Sequence, residues 1–279
     1  MNVYNLEVII MGLRDLTNVL PVDYMLKVAS SKPELVDWTK ICYTTKMPES
    51  FVEKYKNWVD WHYVSNSQKL SEEFIDKYRD WVDWVAISEH QKLSEQFIDK
   101  HKDRVVWPRI SKYQKLSPSF IDKHADMVNW DFVSRYQELP ESFIEKHKDR
   151  VNWYYISMYQ KLSEPFIEKH RNFVNWPAIS AYQKLSEKFI ERHKDEVNWN
   201  AISEYQELSE EFIEKFKDRV NWDAISIYQK LSEEFIEKYT DKVDWFHILN
   251  SQKHLSDKFK KKHAWRIAPP LNRYPIKRQ

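Results

Sequence analysis

Five histidines recur at one fixed interval, one per repeat of the chain, and raise the possibility of a ladder of metal ligands: His101, His124, His147, His170 and His193. Zinc needs several ligands that converge on one site, and residues one repeat apart, about 10 Å in packed helices, are too far apart to share it. Other repeats carry Tyr or Phe at this position. The sequence therefore predicts aromatic packing by a flat ring here, and no metal or other cofactor.

Two further patterns could supply chemistry. Recurring carboxylates are candidates for paired acid–base groups, but each has a basic neighbour, which is typical of a charged surface. They are Glu145, Glu168, Glu191 and Glu214. The one cysteine, Cys42, occupies a position where other repeats have Ser, so we interpret it as a small-residue substitution. With no glycine-rich phosphate loop either, the sequence predicts a protein that is not an enzyme.

The elements that carry these residues belong to a repeat. Ten tryptophans recur with a period of twenty-three, and a fixed period of this size marks a repeat array. They are Trp38, Trp61, Trp84, Trp107, Trp130, Trp153, Trp176, Trp199, Trp222 and Trp245. Phe recurs ten residues before nine of them, from Phe51 to Phe235, and Gln recurs seven after most of them. We expect an all-α fold, an α-solenoid of about ten two-helix repeats with N- and C-terminal caps.

Each repeat reads as two short helices. In one of them Ser71 is a good N-cap, and Phe74, Tyr78 and Val82 form an apolar stripe. The other begins at Trp, after an Asn or Asp N-cap. Pro directly after Trp, as in Pro108, suits a first turn. No alternation with period two persists, so strands are not expected.

The tryptophans are predicted to form the structural core that holds the repeats together. The core set is Trp84, Trp107, Trp130, Trp153, Trp176, Trp199 and Trp222. Large aromatic side chains contribute much of the buried area of such a core. A base-stacking platform for single-stranded RNA is the alternative interpretation of an aromatic ladder.

The repeats differ most at the first, second and fifth residues after each Trp. The first and fifth are four apart and share one helix face. This face includes large apolar side chains that an unconstrained wet surface should mostly avoid. We therefore predict a partner-binding surface of Arg109, Lys112, Asp131, Phe132, Arg135, Tyr154, Tyr155 and Met158. An exposed face under no constraint is the alternative.

The chain ends depart from the repeat. Residues 1–19 lack its signature and are predicted to be an N-terminal cap, residues 20–259 a single array, and residues 260–279 a C-terminal cap with a basic tail. Lys260 stands where other repeats have Ile, which is typical of a terminal repeat with no successor to pack against.

Charge is uneven along the chain. The formal net charge is +1, but the segment from Lys260 onward has seven basic and no acidic residues, so residues 1–259 carry −6. An acidic body argues against nucleic-acid binding by the array and leaves only the basic tail for it. The sequence shows no signal peptide and no apolar run long enough to span a bilayer, which predicts an intracellular protein without a membrane span.

The repeat resembles a short degenerate repeat common in proteins of large nucleocytoplasmic DNA viruses. The stretch from Gln183 to Ser203 carries it, with Phe-Ile, Asn-Trp and Ile-Ser at the matching places, and the similarity covers about residues 38–260. The resemblance implies a viral protein, in the host cytoplasm or virion-associated. The predicted function is a scaffold that binds a viral or host protein; the alternatives are a virion structural component and a single-stranded RNA reader.

Overall fold

The structure, a computed structural model, describes residues 32–267, and this part of the chain contains twenty α-helices, two 3-10 helices and no strand. Ten tryptophan helices of seven residues begin at the recurring Trp: Trp38–Thr44, Trp61–Ser67, Trp84–His90, Trp107–Tyr113, Trp130–Tyr136, Trp153–Tyr159, Trp176–Tyr182, Trp199–Tyr205, Trp222–Tyr228 and Trp245–Ser251. Ten phenylalanine helices alternate with them: Glu49–Lys54, Glu72–Lys77, Glu95–Lys100, Pro118–Lys123, Glu141–Lys146, Glu164–Lys169, Glu187–Arg192, Glu210–Lys215, Glu233–Lys238 and Asp257–His263. The predicted all-α array of two-helix repeats is confirmed.

Local capping explains where these helices begin. The Ser71 side chain accepts a hydrogen bond from the N–H of Phe74 at 3.1 Å. Asp83 accepts from Val85 and Ala86 at the start of the next helix. Both contacts satisfy amides that have no partner inside the helix. Pro108 lies in a first turn, as the sequence predicts.

The phenylalanine helices are shorter than the predicted apolar stripe. Glu72–Lys77 ends one residue before Tyr78, which has φ −109° and ψ 27° and acts as the C-cap. The following residues form turns, and the N–H of Val82 bonds back to the carbonyl of Tyr78 at 3.1 Å. Val82 therefore reaches the core from a turn, and the prediction that it lies on a helix was wrong.

The tryptophan helices end without any glycine or positive-φ residue among the described residues. Where a further repeat follows, a glutamine of that repeat closes the helix instead, as at Trp61–Ser67. The Nε2 group of Gln91 donates to the carbonyls of Ser65 at 2.8 Å and Gln68 at 2.7 Å. Its Oε1 atom accepts from the N–H of Leu70 at 3.0 Å. Thus the last carbonyls of one helix, which lack partners inside it, bond to a side chain one repeat further along the chain.

A serine completes this connection between repeats. Ser88 Oγ donates to the carbonyl of Trp84 at 2.7 Å. It also accepts from the N–H of Val106 at 3.0 Å, and Val106 is the residue that precedes the next tryptophan helix. Ser88 and Gln91 are both buried, so these polar groups need the partners that the repeat provides.

The core lies between the two helix types. The Ile or Val three residues after each Trp, such as Ile87, and the Ile that follows Phe in most phenylalanine helices, such as Ile98, are completely buried. Of the seven tryptophans predicted as core, Trp107 is buried and six are half-buried, although they pack on the adjacent rings. Trp84 stacks on Phe97 with centroids 6.3 Å apart, and its Nε1 donates to the carbonyl of Arg79 at 2.9 Å. The tryptophans therefore form the edge of the core, and the isoleucines form its centre.

Contacts group the chain into two compact units, one up to Gln137 and one from Glu138 onward. In each unit, successive tryptophan helices pack side by side. The predicted 1–19 cap and the tail after Ile267 lie outside the described residues, and the extent of a single array over 20–259 stays a prediction. The boundary predicted before Lys260 falls inside the helix Asp257–His263, which is followed by the 3-10 helix Ala264–Arg266.

Candidate functional site

The predicted partner surface has different exposure at its three positions. The residue directly after Trp is exposed in all ten described repeats, from Thr39 to Phe246. The fifth residue is exposed or half-buried throughout. The second residue is never exposed in these repeats, and it is buried in three of them, at Ala86, Ala178 and Ala224. The surface is thus lined by the first and fifth positions, with the second at its inner edge.

The unit up to Gln137 holds five of the predicted residues. Lys112 Nζ lies 5.9 Å from the ring centroid of Phe132, and Arg135 lies 5.1 Å over the ring of Tyr136. Arg109 pairs with Glu89 at 3.1 Å, and its charge is therefore partly balanced within the chain. Asp131 is exposed on the same helix as Phe132.

In the unit from Glu138 onward, the structure brings together the other three. The rings of Tyr154 and Tyr155 lie 5.5 Å apart, and Tyr155 lies 6.2 Å from Tyr159. Met158 lines a groove next to Tyr159 and Tyr182. The eight predicted residues therefore divide between the two units. In the first, Lys112, Phe132 and Arg135 belong to a charged and aromatic cluster; in the second, all three residues are uncharged.

The predicted surface does not include a recurring tyrosine that lies beside its residues in both units. Six tryptophan helices end on an exposed tyrosine, the sixth residue after Trp: Tyr113, Tyr136, Tyr159, Tyr182, Tyr205 and Tyr228. The recurring dipeptide Tyr-Gln was the available signal. Lys112 Nζ donates to the hydroxyl of Tyr113 at 2.8 Å and lies over the rings of Tyr113 and Tyr136 at 4.5 and 5.7 Å.

The recurring histidine packs as predicted, between the Trp and Phe rings. The His101 centroid is 5.0 Å from that of Trp84 and 4.5 Å from that of Phe97. The structure adds a partner that the sequence did not indicate: His101 Nε2 lies 3.0 Å from Asp76 Oδ1, in the preceding repeat. Lys100 approaches the same carboxylate at 2.9 Å. Phe can therefore replace His in this aromatic packing, but His adds a polar contact to the carboxylate of the preceding repeat.

These surroundings shift both pKa values. Burial lowers the pKa of His101, although the neighbouring Asp76 partly opposes this effect. The hydrogen bond from Lys100 is the main cause that lowers the pKa of Asp76. At neutral pH the arrangement is therefore a neutral buried ring beside an ionised carboxylate that a lysine neutralises.

The recurring carboxylates bridge successive repeats. Glu145 contacts Lys169 at 2.9 Å and His170 at 2.6 Å, and Glu168 contacts Arg192 at 3.4 Å. Their lowered pKa values follow from hydrogen bonds, from Lys169 in the case of Glu145 and from His193 in the case of Glu168. The predicted surface charge pattern is present, but each carboxylate pairs with the next repeat rather than with its sequence neighbour.

The candidate metal-ligating and thiol groups of the sequence can be placed within the described residues. Within residues 32–267, no group of three or more His, Cys, Asp or Glu side chains has the arrangement of a metal site. Cys42 is completely buried at the serine position, and burial raises the pKa of its thiol to about 11. A buried thiol with a raised pKa is a poor nucleophile. The helices in this range are too short to cross a membrane.

The chain matches no family model, no curated protein and no solved structure. Its own geometry, an all-α array with an exposed and variable face on its tryptophan helices, is therefore the basis for assigning a function.

Proposed function

We propose that the chain is a non-enzymatic scaffold that binds a viral or host protein through the exposed face of its tryptophan helices. The proposal keeps the location that the viral resemblance implies, in the host cytoplasm or on the virion. Helical repeat arrays suit this role because a constant core can carry a variable surface. The first residue after each Trp is exposed in every described repeat, and it varies along the array, with only Pro and Asp occurring twice.

The observation that carries the proposal is the cationic and aromatic cluster of Lys112, Tyr113, Phe132, Arg135 and Tyr136. One ammonium group lies within 6 Å of three rings, at 4.5, 5.7 and 5.9 Å. Tyr113 and Tyr136 are 41% and 42% exposed. Aromatic and arginine side chains dominate the binding energy of protein interfaces.

The cluster is also held in place before any partner arrives. The hydrogen bond to Tyr113 raises the pKa of Lys112, which stays charged at neutral pH. Cation–π contacts fix the long side chains over the rings. Because these side chains are already ordered, a partner loses less free energy on binding them.

The test is capture of partners from infected-cell lysate, quantified by mass spectrometry. The variant Lys112→Glu/Arg135→Glu should lose at least about tenfold of a bound partner, equivalent to about 1.4 kcal/mol. The matched control is Lys54→Glu/Lys102→Glu, which makes the same charge change at exposed positions away from this cluster. Equal capture by the wild type and both variants would contradict the choice of face.

A further inference from the structure

The second unit presents a regular ladder of exposed tyrosines. Tyr159, Tyr182, Tyr205 and Tyr228 end four successive tryptophan helices, with 47%, 61%, 59% and 56% of each residue exposed. Each is followed by a buried glutamine. Because that glutamine is hydrogen-bonded to the neighbouring repeat, as for Gln183 with Ser157 and Gln160 at 2.8 Å, the tyrosine backbone is fixed. Four exposed tyrosines therefore follow one another along the second unit from fixed backbone positions.

A ladder with the usual spacing of packed helices would match one kind of ligand. Side-by-side helices lie about 8–10 Å apart. A polyproline II chain has three residues per turn and rises about 3.1 Å per residue, or about 9 Å per turn. Every third residue of such a chain therefore meets the next tyrosine on the same side. A β-strand covers a similar distance in three residues, but its side chains alternate with period two, so every third residue changes face.

The first step of the ladder contains a groove. Its volume is about 420 Å³, and its walls are Tyr159 and Tyr182, with Met158 contributing apolar surface. Grooves lined by aromatic side chains are the usual sites for proline-rich segments, which are already extended before binding. The size falls in the range of pockets that bind small ligands or a few residues of a peptide.

The positive charge of the groove indicates the charge of its ligand. Lys161 and Lys184 line the same groove, and none of the described residues that line it is acidic. Both lysines are exposed. At Tyr205 the local charge is negative, because Glu204 and Glu207 flank it. The hydrogen bond that the Tyr205 hydroxyl donates to Glu204 raises the pKa of that hydroxyl. An acidic residue therefore fits between Tyr159 and Tyr182 and does not fit at Tyr205.

We propose that the groove between Tyr159 and Tyr182 binds an acidic, proline-rich peptide segment in the polyproline II conformation. This inference rests on the proposed scaffold function, because it names the partner class of that face in the second unit. The peptide lies across the helix ends, with its prolines against the tyrosines and its carboxylates beside Lys161 and Lys184.

The direct test uses the purified full chain and fluorescein-labelled peptides in an anisotropy titration. The probe is Pro-Pro-Asp repeated twice, about 19 Å long, so that its carboxylates lie beside Lys161 and Lys184 and do not have to extend along the ladder to Tyr205. Two matched peptides separate the contributions: Gly-Ser-Asp repeats keep the charge without the conformation, and Pro-Pro-Lys repeats keep the conformation with the opposite charge. We expect saturable binding of the first, and binding of both others weaker by at least about tenfold.

Variants of the groove should weaken binding of the Pro-Pro-Asp probe. Tyr182→Ser and Lys184→Glu should each raise its Kd at least about fivefold. The matched controls in the same unit are Phe173→Ser, which removes another exposed aromatic ring, and Lys188→Glu, which makes the same charge change on a phenylalanine helix. Both controls should bind as the wild type does. A thermal melt of each variant identifies any loss of folding.

Four outcomes would overturn the inference: no binding at about 1 mM peptide, equal binding of the Gly-Ser-Asp probe, wild-type binding by both groove variants, and tighter binding of a labelled oligouridine that Lys184→Glu abolishes. The last would mark a nucleic-acid surface. The proposed scaffold function fails separately, because it depends on partner capture through Lys112 and Arg135. If the wild type does not bind the peptide while Lys112→Glu/Arg135→Glu still loses its captured partner, this inference alone is rejected.

Discussion

The tryptophan helices and the phenylalanine helices belong to the same repeat, but their neighbours are joined in different ways. Successive tryptophan helices are connected by buried, neutral side chains that bond to backbone groups, as Gln91 and Ser88 do. Successive phenylalanine helices are connected mainly at the surface by charged pairs, such as Lys100 with Asp76 and Lys123 with Asp99. A charged group also joins the backbone there, since Glu72 accepts from the N–H of Ser94 at 2.5 Å.

This difference indicates that the contacts between tryptophan helices and those between phenylalanine helices contribute differently to the fold. A buried polar group that loses its partner is costly, whereas an exposed ion pair contributes little. The buried connections therefore specify how one repeat meets the next. The charged connections can vary. The acidic residue is Asp76 in one repeat and Glu145 in another, and the basic residue is Lys169 in one and Arg192 in the next.

The largest effect is expected from removing one buried glutamine. Gln91→Met keeps the approximate shape but leaves the carbonyls of Ser65 and Gln68 and the N–H of Leu70 without their side-chain partner. Each unsatisfied buried group costs about 1–3 kcal/mol, so the free energy of unfolding should fall by about 3 kcal/mol or more. Urea denaturation followed by circular dichroism and tryptophan fluorescence measures it.

The control for this comparison is Gln96→Met, on the exposed face of a phenylalanine helix. It should change the free energy of unfolding by no more than about 0.5 kcal/mol. Similar losses in the two variants would show that the buried connection is no stronger than an ordinary surface contact.

A smaller effect is expected at the buried ring of the phenylalanine layer. Burial lowers the pKa of His101 below its usual 6.5, because the folded state favours the neutral ring. The ring therefore stabilises the fold fully above pH 6.5, and this stabilisation is lost as the pH falls through the pKa of the folded state. Asp76 opposes this shift, while Lys100 and Arg104 reinforce it. His101→Phe, which copies Phe216 of another repeat, should therefore have a melting temperature that declines less than that of the wild type between pH 7 and pH 5.

Scanning calorimetry at several pH values measures this decline. His90→Phe, at an exposed helix end, serves as the control and should leave the decline unchanged. A steeper decline in His101→Phe would mean that Asp76 outweighs burial and that protonation of the ring stabilises the fold.

The smallest effect is expected at an exposed pair. Glu214 lies 2.5 Å from Lys238, and their hydrogen bond lowers the pKa of the glutamate and raises that of the lysine. Lys238→Met should lower the melting temperature slightly at low salt. The difference should disappear near about 1 M NaCl, where the screening length is about 3 Å. A loss that persists in high salt, and is absent in Lys188→Met, would show that packing of the stem matters more than the charge.

Several features could be predicted from the sequence because they depend on neighbours in the chain. A helix N-cap such as Ser71 and a first-turn proline such as Pro108 act within one turn. The fixed period of the repeat places equivalent residues on equivalent faces, so the exposure of Tyr154 and the packing of His101 against aromatic rings followed from it.

Other features required the packing of one repeat on the next. The bonds of Gln91, Ser88 and Asp76 join residues of different repeats, and residue types alone do not give the partners. The half-burial of Trp84 has the same origin. Its ring stacks on Phe97 and its Nε1 donates to a backbone carbonyl, whereas the completely buried positions are held by Ile87 and Ile98.

The glutamine contact also depends on the order in which the residues are synthesised. A glutamine such as Gln206 bonds to the carbonyls of Ser180 and Gln183 and to the N–H of Leu185, all of them made earlier by the ribosome. At a synthesis rate of about 5–20 residues per second, the glutamine that bonds to a repeat is made about 1–5 s after that repeat. The newest repeat on a growing chain therefore lacks this contact until the glutamine of the following repeat has been made.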